Sequence, residues 1–552
     1  MTSGPLRRHL APLGAIALAL AVVLAPSWSS GTVLGHAYGD LADHFWGTWW
    51  FGGELLAGRW PSTTNLSHFP ATVEFWHIDP LGALLALPLH GLGPAFAWNT
   101  LVVLQLAAAM LVAYVAAYDA TESRGAALVG GVVAGLSPYA LGLVHSGLSE
   151  CLWLAPVFAF VPLALRTLGL DPRGRPAIGW VAPGLALGLA ASGAAYYGLF
   201  GVIFLLSCVL GRGWRARVEP AIRVALLAGL VALPAALLAA KSVGGTGAVT
   251  PANAPGWAGR LPATDILSFL APGQYYFPDT PAMGNPGILH VNYLGYVAIG
   301  VAALGGWTAV HRAGLAYFAF ALGPRLAFAK QVVTVLGASV LLPLGYLSFP
   351  GSPFGLVHQP YRMVAFLLPV LGLAAARGAL RLPGWARPVV AVAVLAEVLL
   401  LSPAPWPLAT RPAPSADAYA GIDGPVLDWP PDASQLNRDY LVSATVHGQA
   451  VPYGVNVFLP ERLRQDPLVI ELLRALNDLD GRARNRDVLF AGSVLQEPAT
   501  AESALREIGI RHVLVHKDSL DDREWGRTRR ALTGALGEPV REDVDTALWT
   551  VP

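Results

Sequence analysis

Residues 80–93, PLGALLALPLHGLG, decide how this chain is folded. The stretch is apolar, yet it is short for the roughly 20 residues a helix needs to cross about 30 Å of hydrocarbon, and Pro80 and Pro88 break it. It therefore reads as a re-entrant or interfacial helix. Charge supports this choice. If the stretch does not cross, the connections carrying Arg124, then Arg166, Arg173 and Arg175, then Arg212, Arg215, Arg217 and Arg223, then Arg312, then Arg377, Arg381 and Arg387 all fall on one side with Arg7 and Arg8. That is the positive-inside pattern, and it makes the shared side cytoplasmic. If the stretch crosses, the two richest basic loops move outside.

Working outward, the whole chain of 552 residues is 54% hydrophobic and 13% charged, too apolar for a water-soluble protein. Apolar runs of spanning length fall at 10–28, 94–118, 126–144, 150–168, 177–192, 195–211, 220–240, 291–309, 362–380 and 386–402. The stretch from Gly314 to Tyr346 must then make one net crossing, as one helix plus a broken partial helix around Pro324 and Pro343. The expected fold is mostly α: a polytopic helical protein of the cell (inner) membrane with about eleven spans. Arg7 and Arg8 before the first run also fit a secretory signal peptide, but the long series of later spans favours a retained first helix with a cytoplasmic amino terminus.

Net charge is +1, but residues 1–402 hold 20 Lys/Arg against 13 Asp/Glu whereas residues 403–552 hold 16 against 22. The expected organisation is a membrane domain over 1–402, a proline-rich linker over 403–424 and a soluble extracytoplasmic α/β domain over 425–552. Within the membrane part, 29–93 and 241–290 form the two large outer loops. In the tail, PVLDWP (425–430), RHVLVH (511–516) and ALWTV (547–551) read as strands; LVIELLRALNDL and AESALREIGI read as amphipathic helices. The tail has no metal-ligand spacing, phosphate loop or nucleophile elbow, so a binding or scaffolding role is its plain reading. Cys151 and Cys208 sit in apolar runs and form no disulfide framework. No basic patch interleaved with aromatics points to nucleic acid.

Five of the 13 acids of residues 1–402 crowd into the first outer loop, Asp40, Asp43, Glu54, Glu74 and Asp79, with Arg59 the single base. Trp46, Trp49 and Trp50 recur at helical spacing in HAYGDLADHFWGTWWFGGELL, which predicts an amphipathic helix at the lipid interface with Asp40 and Asp43 at its mouth. A carboxylate held there can act as general base toward a sugar or lipid hydroxyl. A lipid-linked phosphosugar donor also needs cations for its leaving phosphate; Arg362, Arg260 and Lys241 are the outward-facing candidates. Arg362 is best placed, in HQPYRMVAF at the outer start of a span, although a snorkelling arginine is expected there too.

The ordered series YGDLADHFWGTWW, HSGLSE, SGAAYYGLF, NYLGYVAI, LGP then LP followed by QPYR, and LREIGIRHVLVHKD resembles the GT-C superfamily of integral membrane glycosyltransferases. Within it the chain is similar to the dolichyl-phosphate-mannose mannosyltransferase type, which uses polyprenyl-phosphate sugars. The resemblance implies inverting transfer of a sugar to an extracytoplasmic glycan, lipid or protein acceptor, with a first-loop aspartate as base. That role falls to Asp40, with Asp43 as the alternative. The chain departs from the family in lacking its first-loop Asp-Glu pair and its metal-holding acidic pairs, so no metal cofactor is expected. His44 is a candidate to orient Asp40 or touch phosphate, His145 and Glu150 to line the same cavity, and Tyr196 and Tyr197 to stack on sugar or prenyl chain. Each also has a plain reading as packing, capping or interface residue. Glu397 is an intramembrane acid near the outer end of the last span, where solvation would explain it. A lipid-linked glycan transporter or flippase, and a noncatalytic envelope-assembly subunit on the same fold, are the other classes considered. Transporters usually show paired repeats with broken helices, and none is visible here.

Overall fold

The computed structural model describes residues 9–245 apart from 30, 38, 76, 172 and 211–212, then 269–270, 272, 289, 291–306, 312–317, 332–335, 338–341, 360–431, 436–454, 460–464, 466–476 and 505–552. Several of its helices begin where the sequence supplies a turn residue or a cap. Gly93 at φ +96 turns the chain into Pro94, which opens α4 (Pro94–Thr121, 28 residues). At 1.5 Å per residue that helix is about 42 Å long, more than a bilayer core. The run expected as one span at 126–144 falls in the helical stretch Arg124–Ser146, which is built of two helices, α5 (Arg124–Gly135) and α6 (Pro138–Ser146). Ser137 accepts from the Ala140 amide and Pro138 takes the first helical position, so a new helix starts where the old one stops.

Contact clustering divides the chain into two units, residues 1–41, 78–237 and 250–412 forming one, and 42–77, 238–249 and 413–552 the other. The first holds α1 (Leu10–Leu24), α3 (Pro80–Ala86), α4 to α6, α7 (Leu154–Thr167), α8 (Val181–Gly193), α9 (Ala195–Val209), α11 (Tyr296–Leu304) and the helices Val364–Ala379 and Ala386–Leu401. Among the described residues, five helical stretches are long and apolar enough to cross a membrane, namely Leu10–Ser27, Pro94–Thr121, Arg124–Ser146, Ser149–Thr167 and Trp214–Lys241. Others are shorter; Pro80–Leu92 is a seven-residue helix followed by a six-residue 3-10 helix. Helices α4, α5 and Val364–Ala379 approach on small residues. A Cβ on Gly130 would lie 2.8 Å from the Gly372 carbonyl, so only glycine permits this crossing. Phe160, Phe204, Tyr317 and Phe366 fill the adjoining core with edge-to-face and tilted ring contacts. On α10 (Trp214–Gly245), Ile222, Leu226, Leu230, Leu233 and Leu237 are exposed, which suits lipid rather than water.

Among its described residues this unit also holds two antiparallel strand pairs. The region read as the start of a linker contains β6 (Thr410–Pro412), which pairs antiparallel with β1 (Thr32–Leu34), while Ser27 donates to the Leu408 carbonyl at 2.9 Å. Main-chain pairing thus ties the chain leaving the last helix to the chain leaving the first. Most of the crossing expected between Gly314 and Tyr346, with Pro324 and Pro343, lies outside the described residues; those described there show helix at 312–317 and an antiparallel pair, β4 (Val332–Val335) and β5 (Ala338–Leu341). VVTV is rich in β-branched residues, which favour strand over helix.

The second unit is built on a four-stranded sheet of order β7-β8-β10-β9: β7 (Val426–Trp429), β8 (His512–His516), β9 (Arg541–Glu542) and β10 (Thr546–Thr550). β7 and β8 run parallel and β10 antiparallel to β8. Alternation sends Trp429, Val513, Val515 and Trp549 to one face, where Trp549 meets Trp525 of the helix Asp522–Leu536. Asp428 and His516 point to the other face, where His516 stacks on Tyr440 of the helix Leu436–His447. Helix α2 (Leu41–Leu56) supplies most of its residues to this unit, and stacked Trp46 and Trp50 pack edge-on against Phe75. The main chain of the first loop also joins the tail: His68 and Phe69 donate to the carbonyls of Tyr453 and Val451.

Candidate functional site

Helix α6 ends in His145-Ser146-Gly147, and a helix end leaves carbonyls in need of donors. Here they come from the segment just before α2. The amide of His36 donates to the His145 carbonyl at 2.7 Å and that of Asp40 to the Ser146 carbonyl at 2.9 Å. Gly147 makes this possible twice over. Its φ of +71 is the left-handed conformation that caps a helix, and a Cβ there would sit 2.4 Å from Cα of Leu41. Asp40 is thereby held, half-buried, immediately before α2, and Asp43 falls in the first turn of that helix. The His36 and His145 rings lie 5.0 Å apart, and burial lowers the pKa of His36.

After Gly147 the chain makes a 3-10 turn, Ser149–Leu152, which Gln105 steadies through the Ser149 carbonyl. This turn presents Glu150 to Arg362, 3.2 Å away, with both side chains almost wholly buried. The guanidinium lies 4.7 Å over the ring of Tyr196, a cation-π contact. Tyr197 is fully buried; its hydroxyl donates to the Cys151 carbonyl and meets that of Tyr139 at 3.2 Å. It holds the turn from behind and offers no open face for stacking. Trp153, next in the chain, donates to Asp79 at 2.7 Å, and the same carboxylate caps α3 by accepting from the Gly82 amide. Residues 145–153 thus fix the backbone of Asp40, the charge of Arg362 and the carboxylate of Asp79 together.

Of the residues singled out from sequence, Asp40, His145, Glu150, Tyr196, Tyr197 and Arg362 belong to this helical unit. Lys241 pairs with Glu74 at 2.7 Å in the second unit, with both side chains largely exposed, a contact of little energetic weight. His44 is buried on α2, its ring edge-on to His77 at 6.4 Å. Arg260 lies outside the described residues. Glu397 is buried rather than solvated: its carboxylate accepts from the Tyr293 hydroxyl and from the amides of Tyr296 and Val297, and so caps α11. Asp79 and Trp153 were not identified as site residues. The Asp79-Pro80 pair, a helix cap followed by proline, was the available signal for Asp79. Among the described residues, no three His, Cys, Asp or Glu side chains are grouped as a metal ion requires.

No protein-family model matches the chain, and no curated protein does. Solved structures do. The chain is similar to the arabinofuranosyltransferase AftD from Mycobacteria, with 17% identity and a TM-score of 0.47 over 98% of this chain and 41% of that one. It is similar to the oligosaccharyltransferase AglB from Archaeoglobus fulgidus, solved with an inhibitory peptide and dolichol-phosphate (11%, 0.41, 92% and 69%). It is also similar to ArnT from Cupriavidus metallidurans bound to undecaprenyl phosphate (13%, 0.43, 99% and 98%). The chain spans less than half the length of AftD.

Proposed function

We propose that this chain is a membrane glycosyltransferase that moves a sugar from a polyprenyl-phosphate-linked donor to an extracytoplasmic glycan, lipid or protein acceptor by inverting displacement. Its amino terminus faces the cytoplasm of a cell whose inner membrane it spans, and its soluble tail lies outside. Asp40 takes the proton of the acceptor hydroxyl as that oxygen attacks the anomeric carbon, and Asp43 is the alternative base. Arg362 receives the negative charge that builds on the departing phosphate, using a planar fork that suits phosphate oxygens. Glu150 and Tyr196 hold that fork in place.

The observation that carries this reading is the 145–153 segment, which ties the backbone of Asp40 to one end and the Arg362 ion pair to the other. A base and a cation organised by one rigid turn are what in-line displacement at a phosphosugar needs. Mass spectrometry of cell-envelope glycans from a deletion strain, its parent and a strain complemented with the wild-type chain tests the proposal. The expected result is a glycan lacking one sugar in the deletion strain alone; an identical profile in all three, across several growth conditions, overturns it.

A further inference from the structure

Arg124 opens the helical stretch that closes at Ser146, where the Asp40 backbone is held, and so marks the opposite end of the helical unit. Other arginines gather there. Between Asp279 and Glu397 the sequence contains no Asp or Glu, yet Arg381 and Arg387 both lie within it. Close packing brings them to Arg124. A Cβ on Gly378 would lie 1.7 Å from the Val301 carbonyl, so the helix Val364–Ala379 runs directly against α11 toward their shared end. Just beyond α11, Gly306 has φ +74 and lies beside Arg381, whose Nη2 a Cβ would approach to 2.8 Å. Arg387 lies across Gly125, where a Cβ would sit 3.3 Å from its own Cβ and Cδ.

Arg387 closes the end of the helix Val364–Ala379. Its guanidinium donates to the carbonyls of Ala379, Leu380 and Leu382 at 3.0, 3.3 and 3.2 Å and to the Ser123 hydroxyl at 2.9 Å. Those acceptors are neutral, so its charge stands. The acids of the adjoining connections are engaged elsewhere: Glu122 with Arg173 at 2.5 Å, and Asp119 and Asp171 with Arg175 at 2.7 and 2.6 Å. Among the described residues no carboxylate pairs with Arg381 or Arg387. Arg124 and Arg381 are exposed.

This charge adjoins an apolar stripe. Along the helix Ala386–Leu401, Ala391, Val394 and Val398 are buried, whereas Trp385, Val389, Val392, Ala396 and Leu400 recur at helical spacing on the opposite side and are exposed, Trp385 at 74%. The stripe is roughly 22 Å long at 1.5 Å per residue, comparable to an acyl chain in one leaflet. An exposed indole at its end belongs at head-group depth.

We infer that this end of the helical unit holds one anionic phospholipid of the phosphatidylglycerol class, with its acyl chains along the stripe and its phosphate against Arg124 and Arg381. Guanidinium forks match phosphate oxygens. The unanswered positive charge selects an anionic over a zwitterionic head group, whose ammonium would find no carboxylate here. The inference requires neither sugar transfer nor a particular side of the membrane.

Native mass spectrometry of the full chain, delipidated in a neutral detergent and titrated with dioleoyl phosphatidylglycerol or dioleoyl phosphatidylcholine, tests it. The wild type retains one phosphatidylglycerol about tenfold or more tightly than phosphatidylcholine. Arg124→Gln/Arg381→Gln, altered only at exposed positions, binds the two lipids alike. Arg215→Gln/Arg223→Gln, which removes the same charge from α10, keeps the preference. Equal retention of both lipids by the wild type, a preference that survives in the Arg124/Arg381 variant, or an equal loss in the Arg215/Arg223 variant overturns the inference.

Discussion

Arg362 and Glu150 form an ion pair at 3.2 Å with 6% and 3% of their side chains exposed, so two opposite charges are held away from water inside the helical unit. Such a pair is costly to break from one side only. Arg362→Met or Glu150→Ala alone should lower unfolding free energy by about 3–5 kcal/mol, because each strands a buried charge, whereas the double change should recover a good part of the loss. Thermal unfolding in one detergent measures this; single variants that melt like the wild type would show that the pair carries no weight.

Gly147→Ala should damage both stability and turnover. The left-handed backbone alone costs roughly 1–2 kcal/mol for a residue with a Cβ, and that atom would lie 2.4 Å from Cα of Leu41. Relief requires the segment before α2 to move away from α6, taking the Asp40 amide with it. Protease accessibility around residues 36–41 should rise in this variant, and unchanged cleavage would argue against the proposed anchoring.

Glu397 gives a contrasting case. It caps α11 through two amides and the Tyr293 hydroxyl, so Glu397→Ala should cost about 1–2 kcal/mol, as loss of a helix cap does. Glu397→Gln keeps one accepting oxygen and should cost less. A Glu397→Gln variant that folds normally but loses all transfer would instead assign this acid to the chemistry.

Acid stability should depend on His68 and His447, both in the sheet-containing unit. Burial lowers each imidazole from 6.5 to about 4. A lowered histidine pKa means that the unfolded chain takes up the proton more readily. Neither residue affects stability above about pH 6.5; each removes roughly 1.4 kcal/mol per pH unit as pH falls from there toward 4, and nothing further below. His68→Gln with His447→Gln should flatten the stability curve in that window. An unchanged slope in the double variant would contradict the assignment.

The parts of the fold written in local sequence were legible. Alternating apolar residues marked β7, β8 and β10, and the tryptophan spacing marked α2, because each signal lies within a few residues. Long-range geometry was not. Glu150 and Arg362 were each named as site candidates, but nothing local says that they pair, nor that Tyr196 lies beneath the guanidinium. Glu397 was read as solvated because the helix it caps lies about a hundred residues earlier in the chain. Tyr197 reads locally as a stacking platform, but its ring is buried and its hydroxyl donates to the Cys151 carbonyl. The run 126–144 was legible as one span, Arg124–Ser146, but hydropathy does not register the Ser137-Pro138 break that divides it into two helices.

The central claim is that Asp40 is the base of a sugar transfer. The direct measurement is release of polyprenyl phosphate from a polyprenyl-phosphate sugar by purified protein in liposomes supplied with an envelope-glycan extract, comparing wild type, Asp40→Asn and Asp43→Asn. General-base catalysis is worth about 10²–10⁴-fold, so Asp40→Asn should lose at least about a hundredfold in kcat with little change in KM, while Asp43→Asn retains most of the rate. Full turnover by Asp40→Asn would contradict the account.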